Sequence, residues 1–210
     1  MPSSSEKLPY INENVFELPE LILASASPRR AEILTNVGWK FKVFKSEVDE
    51  TPLNDEKAAQ YTKRLALAKA AVAAERFPDQ LILAADTTVV IDEKIIGKPE
   101  NILEAGKMLR MLSGRCHKVI TAVALQKGSQ ILSAAEETLV EFDRLDDSEI
   151  EYLVTNGNPL DKAGAYAVQA QAALFIKRIE GDYWNVVGLP VRLVYNLYKK
   201  LRKSPKNALK

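Results

Sequence analysis

The chain has 210 residues, 47% of them hydrophobic, with one cysteine, one histidine, and 29 basic side chains against 28 acidic ones. That is enough apolar material for a substantial core in one domain, with room for a smaller lobe, and too balanced a charge to recruit nucleic acid or an anionic membrane through a global field. The lone Cys116 excludes an intramolecular disulfide, and with His117 it cannot assemble a zinc site from those residue types alone.

Residues 1–20 read as a polar extension containing serine and proline. They lack the apolar core of a secretion signal, and no apolar run in the chain approaches the roughly 18 residues of a membrane span. The expectation is a soluble, cytoplasmic protein with no membrane partner, its folded part spanning 21–202 and followed by a basic tail at 203–210. No internal repeat or low-complexity linker interrupts that span.

"LILAS" at 21–25 and "LILAA" at 81–85 are short continuous apolar runs that suit strands buried on both faces. In "LILASASPRRAEIL" the first run gives way to a helix with Ser27 at the N-cap and Pro28 at the first position. "DEKAAQYTKRLALAKAAVAAERF" is a long amphipathic helix with an expected apolar stripe of Tyr61, Leu65, Ala68 and Val72. Lys69 falls at the edge of that stripe, where it could simply snorkel along the core.

"ENILEAGKMLRMLSG" carries a capping-box pair, Asn101 and Glu104, and a Ser113-Gly114 stop, with Ile102, Ala105, Leu109 and Leu112 as its stripe. "KVITAVALQKGSQILSAAEETLVEF" predicts an antiparallel hairpin about a Lys-Gly-Ser turn, with Val119, Thr121, Val123 and Leu125 on one face. In such a strand Cys116 and His117 point to opposite faces and cannot act as nucleophile and base together; Cys116 reads as a small packing residue and His117 as an ordinary strand or loop histidine. "DDSEIEYLVTNG" predicts a helix between Asp146 and Gly157, "AALFIKRI" a strand, and "LPVRLVYNLYKKL" a closing helix opened by Pro190. Strands alternating with helices give an α/β class with a mixed sheet.

Arg29 and Arg30 occupy the first turn of their helix, where the dipole disfavours cations. A bound anion would resolve that cost, held by free backbone N–H groups, the Ser25 and Ser27 hydroxyls and a guanidinium fork shaped for phosphate. The alternative is that both are solvated or paired with Glu32 and another carboxylate. Asp86, ending the apolar run of "AADTTVVID", is placed for catalysis if it lies at a strand's carboxyl end, and equally suited to capping a turn. "SEVDE" supplies Glu47, Asp49 and Glu50, hard oxygen donors for Mg²⁺ or Mn²⁺ or else a solvated loop. "GKPEN" adds Lys98, and "PLDKAGAYAVQAQ" adds Asp161, Lys162 and Gln169.

Together with "RLALAKA", "MLRMLSGRCHKVITAVAL" and "IEGDYWNVVGLP", these segments resemble one family along roughly residues 21–198, the Maf (septum-formation protein) nucleotide pyrophosphatases. The resemblance implies an elongated single α/β domain, its mixed sheet flanked by helices in two lobes, with the active site in the cleft. It also implies metal-dependent hydrolysis of a nucleoside triphosphate to monophosphate and pyrophosphate, in the cytoplasm, and is compatible with a homodimer. The "DKAGAY.VQ" form is similar to the branch acting on dTTP and UTP rather than the one preferring 7-methyl-GTP.

By the same resemblance Asp86 is the general base, a ligand of Mg²⁺ or Mn²⁺, or both, with Glu50 helping to hold the metal. Arg29, Thr87 and Gln169 match positions governing substrate choice, and Arg30, Lys69 and Lys98 match basic positions of the phosphate site alongside Ser25 and Ser27. The Gln169 amide matches the O4 and N3–H edge of thymine or uracil. Three alanines, Ala84, Ala167 and Ala170, stand where the family usually has glycine, and would strain the chain wherever a positive φ is needed. Two other readings compete with the enzyme: a nucleotide-binding regulator of cell division with little turnover, and a nucleic-acid-binding module, which the near-zero net charge disfavours.

Overall fold

A computed structural model of the chain describes residues 17–203. The polar extension up to residue 16 and the basic tail after residue 203 lie outside the described residues. Seven strands form one mixed sheet: β1 (Leu21–Ala24), β2 (Phe41–Phe44), β3 (Leu81–Ile91), β4 (Lys94–Ile96), β5 (Cys116–Lys127), β6 (Gln130–Phe142) and β7 (Ile176–Glu180). Their order is β2-β1-β3-β5-β6-β7, with β4 paired to β3. β1 is parallel to both β2 and β3, and every other pairing is antiparallel.

The register of β3 creates the opening on which the site is built. On one side β5 accompanies it from Ile82 to Val90, whereas on the other β1 pairs only with Leu81–Ala84 and β4 only with Val89–Ile91. Residues 85–88 therefore have no strand beside them on that side. β1 has turned away there, through Ser25–Ser27, into helix α1 (Pro28–Asn36). Asp86 is thus not at a strand end as the sequence suggested; it sits in mid-strand, because β3 outlasts β1 by continuing against β5. It does lie just past the carboxyl end of the parallel partner, the position where open α/β sheets bind ligands.

Helix α2 (Ala58–Arg76) covers one sheet face. Of the expected stripe only Leu65 is buried; the buried face is Thr62, Leu65, Ala66, Lys69, Ala70 and Ala73, rotated because the surface beneath it is built of small residues. Ala66, Ala70 and Ala73 pack with Ile22, Ala24, Ile82, Ala84, Ala122 and Ala124 in one apolar cluster. Alanine on both sides permits a close approach. The opposite face carries the larger core, which includes Leu21, Leu23, Leu83, Val123, Leu125 and Phe142, packed by α3 (Ile102–Leu112), α4 (Asp147–Asn156) and α6 (Val191–Lys203).

The local signals act largely as read. Asn101 caps α3 by accepting from Glu104 N–H, although Glu104 returns its carboxylate to Glu100 N–H rather than to Asn101. Asp146 and Glu149 close a full capping box on α4. β5 and β6 pair through Lys127 opposite Gln130, leaving Gly128 (φ +57°) and Ser129 as the turn. Some readings need correction. Ile102 is exposed while Ala105, Leu109 and Leu112 are fully buried, and Cys116 is exposed rather than packed. The strand expected over "AALFIKRI" starts only at Ile176, since Gln171–Leu174 form a 3₁₀ turn. Pro190 precedes α6 and offers its carbonyl to Val194 N–H instead of entering the helix.

Candidate active site

The opening beside residues 85–88 is the floor of a cleft of about 550 Å³. The ten residues assigned site roles from the sequence line it, Ser25, Ser27, Arg29, Arg30, Glu50, Lys69, Asp86, Thr87, Lys98 and Gln169, whereas Asp49, also offered as an oxygen donor, does not. The ten come from six separate stretches of chain. Alternation along β3 sends Asp86 toward α2 and Thr87 toward the short helix α5 (Tyr183–Val187) and the turn after it.

On the α2 side, Asp86 is 7% exposed and accepts a 2.7 Å hydrogen bond from Lys69 Nζ. The same ammonium lies 2.7 Å from Glu50 Oε1. Lys69 is therefore not snorkelling to solvent; it is 9% exposed and bridges two carboxylates. Burial alone would raise the Glu50 carboxyl, but the Lys69 hydrogen bond and charge, with Lys98 and Arg30 beyond, hold it below the ordinary range. The loop bearing Glu50 is fastened to α2 by Tyr61 Oη donating to Glu50 O at 2.9 Å and by Arg64, paired with Glu56, donating to Thr51 O. Glu47 is paired with Lys45 on the exposed rim, and Asp49 accepts from Thr51 N–H.

On the opposite side the two arginines part company, and neither pairs with Glu32. Arg30 is 8% exposed: its Nε donates to Gly188 O (2.8 Å), Nη1 to Ser25 Oγ (2.9 Å) and Nη2 to Thr87 Oγ1 (2.9 Å). Burial lowers its pKa from the usual value, with the charge of Asp86 opposing. Three of the five N–H donors of a guanidinium are thus committed to protein, so Arg30 ties α1, β3 and the turn after α5 together as well as facing the cleft. Gly188 (φ +123°) presents the carbonyl in a conformation side chains rarely adopt. Ser27 makes no side-chain cap; its N–H donates to Ser25 Oγ.

Thr87 continues this network. Thr121 Oγ1 donates to Asn185 O (2.9 Å), so the 3.0 Å contact between Thr87 and Thr121 is one in which Thr87 donates. With its proton spent on Thr121, Thr87 can only accept from a ligand. Asn185, fully buried, donates Nδ2 to Val119 O and Thr138 Oγ1. Sequence reasoning missed Tyr61, Thr121, Asn185 and Gly188. Tyr61 and Thr121 read as members of an apolar stripe and a strand face, and Asn185 and Gly188 lie in a family-like segment, but their roles depend on partners distant in sequence.

Arg29 reaches across the cleft mouth to Asp161 (3.3 Å), whose other oxygen is 2.5 Å from Lys162 Nζ. This links α1 to the loop bearing Gln169, which is exposed on the rim. Behind that loop His117 Nε2 meets Tyr166 Oη at 2.7 Å, with Phe142 packed on both rings. Burial pushes His117 down to about 4 and raises Tyr166. The loop's positive-φ residues are Asn158, Gly164 and Ala165; the family-glycine positions Ala84, Ala167 and Ala170 are not among them, so those alanines impose no such strain.

Among the described residues no three or more His, Cys, Asp or Glu side chains converge as a metal cage. Glu50 and Asp86 nevertheless fit Mg²⁺ or Mn²⁺, hard cations that take one or two carboxylates and complete their shell with substrate phosphate and water. No helix of the described residues is long and apolar enough to cross a membrane.

The α/β fold is found among solved structures: a Ham1 protein from Staphylococcus aureus superposes with a TM-score of 0.52, covering 87% of this chain and all of that one at 13% identity. At that identity the likeness speaks for fold alone. Sequence carries the assignment further. The profile of the Maf-like protein family matches residues 20–201, and the chain belongs to that family. It is 49% identical over 174 residues to a dTTP/UTP pyrophosphatase of Symbiobacterium thermophilum, covering 83% of this chain and 90% of the relative. It is 43% identical over 184 residues to a dTTP/UTP pyrophosphatase of a Geobacillus species, covering 88% and 99%.

Proposed function

We propose that this protein hydrolyses dTTP and UTP to the nucleoside monophosphate and pyrophosphate, in the cytoplasm, with Asp86 as the central catalytic group. The observation that carries the reading is a buried carboxylate, Asp86 on Lys69, at the floor of a cleft whose walls hold Arg29, Arg30 and Lys98. Family membership and relatives bearing that activity's name over most of their length support the substrate.

Attack of water at the α-phosphorus is opposed by the negative charge of the triphosphate. Arg29, Lys98 and the free N–H groups of Arg30 offset that charge and hold the departing pyrophosphate, aided by the Ser25 and Ser27 hydroxyls and the N-terminus of α1. Asp86 accepts the proton of the attacking water, and Lys69 holds its carboxylate in place until the nucleotide binds. A divalent ion held by Glu50 and Asp86 would add charge neutralisation and a template for the phosphates. Gln169 pairs its amide with the O4 and N3–H edge of a pyrimidine, while Thr87 contributes an acceptor only.

The test is pyrophosphate release from dTTP, UTP, CTP, GTP, ATP and 7-methyl-GTP with Mg²⁺ or Mn²⁺, using Asp86→Asn as the blank. Release led by dTTP and UTP is expected. Release led by a purine overturns the Gln169 assignment, and no turnover at all leaves a nucleotide-binding regulator.

A further inference from the structure

Lys69 Nζ stands 2.7 Å from an oxygen of Glu50 and 2.7 Å from an oxygen of Asp86. One ammonium, with three donors, is the shared counter-ion of two carboxylates that arrive from different parts of the chain. Both carboxylates are presented from anchored backbone: Asp86 from the middle of β3, and Glu50 from a loop whose carbonyl accepts Tyr61 Oη and whose start is fixed by Ser46 Oγ donating to Lys69 O. The lysine itself rises from a helix face packed closely on the sheet.

A cation such as Mg²⁺ bound by the same pair would need these oxygens at about 2.0–2.1 Å, in the space the ammonium fills. Two cations cannot share that space, because their repulsion at such distances in a covered site is severe. We propose that Lys69 and the divalent metal are alternative occupants of the Glu50–Asp86 pair. Lys69 holds the carboxylates until the nucleotide arrives, then transfers its ammonium to a triphosphate oxygen as the metal takes its place. The metal therefore binds with the triphosphate and not before it, since only the triphosphate offers the displaced ammonium a new anion. This rests on the functional reading above, and it assigns Lys69 two successive partners where sequence resemblance gave it only the phosphate.

The test is Mn²⁺ binding to the nucleotide-free protein, followed by electron paramagnetic resonance. Lys69→Met, which keeps the aliphatic stem and removes the charge, is expected to bind Mn²⁺ at least about tenfold more tightly than the natural protein, the relief of a like-charge contact. The gain should vanish in the Lys69→Met, Asp86→Asn double variant. Mn²⁺ should also raise the melting temperature of Lys69→Met by more than it raises that of the natural protein, because the variant leaves Asp86 buried without its cation. Lys69→Gln carries the same expectation and serves if the Met variant does not fold. Equal Mn²⁺ affinity with and without the Lys69 charge, or a gain that survives loss of Asp86, overturns the proposal. The titration contains no nucleotide, so failure of the natural protein to release pyrophosphate would overturn the proposed function and leave this result readable by itself.

Discussion

Lys69 and Lys162 have almost equally covered side chains, 11% and 10% exposed, but the side chains of their carboxylate partners differ, 10% exposed for Asp86 and 45% for Asp161. The first pair lies between a sheet and a helix and is desolvated on both sides. The second sits on a loop at the cleft mouth, where Asp161 also meets Arg29. Burial alone would raise the Asp161 carboxyl; the Lys162 hydrogen bond and charge, followed by Arg29, bring it below the usual range. The same ion-pair chemistry on the floor opens only when new ionic partners arrive, because losing one partner without replacement strands a buried charge. At the rim, water screens each contact and makes it exchangeable. On the proposed function, the floor is where the bond is broken and the rim is where the ligand is chosen and released.

The sharpest break of that contrast is Asp86→Asn. It should lower pyrophosphate release by about 10³-fold or more, within the range that loss of a general base commands. Lys69 keeps Glu50 as partner, so circular dichroism should report an intact fold. An undiminished rate would remove chemistry from the floor.

A buried pair without a formal charge gives a control. His117 has a folded pKa of about 4 against an ordinary 6.5, lowered by burial. The unfolded chain takes up the proton first as pH falls, so stability is full above pH 6.5 and is lost on going down toward pH 4. The loss should be about 3 kcal/mol. Urea melts at pH 7 and pH 4 should show it in the natural protein and show less of it in His117→Gln, which keeps a partner for Tyr166 but does not titrate.

Arg30→Lys tests the buried arginine. A lysine keeps the charge but cannot span Gly188 O, Ser25 Oγ and Thr87 Oγ1, so unfolding free energy should fall by about 2 kcal/mol in denaturant titration. Arg29→Ala is its rim counterpart. Stability should change by less than about 1 kcal/mol, while the KM for triphosphate rises by about tenfold. The smallest effect belongs to Asp161→Asn, a change in KM of about threefold that shrinks with added salt. A loss of stability in Asp161→Asn comparable to that in Arg30→Lys would erase the distinction between floor and rim.

Much of this was legible because the signals are local. Asn101, Asp146 and Glu149 sit within one turn of the N–H groups they cap, and Gly128 sits inside the turn it permits. Ser27-Pro28 marked the start of α1, so the odd placement of Arg29 and Arg30 could be seen without a fold. The helix start and the family segments together named ten residues, and all ten face one cleft.

What the chain could not reveal by itself is how those ten divide their work, because that depends on contacts between residues far apart in sequence. The α2 stripe was misplaced since alanine is apolar enough for either side of a helix, and only the alanine surface of β1, β3 and β5 chooses which side packs. Asp86 was read at a strand end because apolar character stops there; the strand runs on because β5 supplies its hydrogen bonds. Arg30 and Arg29 are adjacent and chemically identical, and only the carbonyl of Gly188, 158 residues away, makes one a buried clamp while the other stays at the rim. Local sequence determined the elements, the caps and the roster of the site. Tertiary packing decided which charges lose their water, and desolvation is what separates an ion pair that needs a replacement partner before it opens from one that water can open.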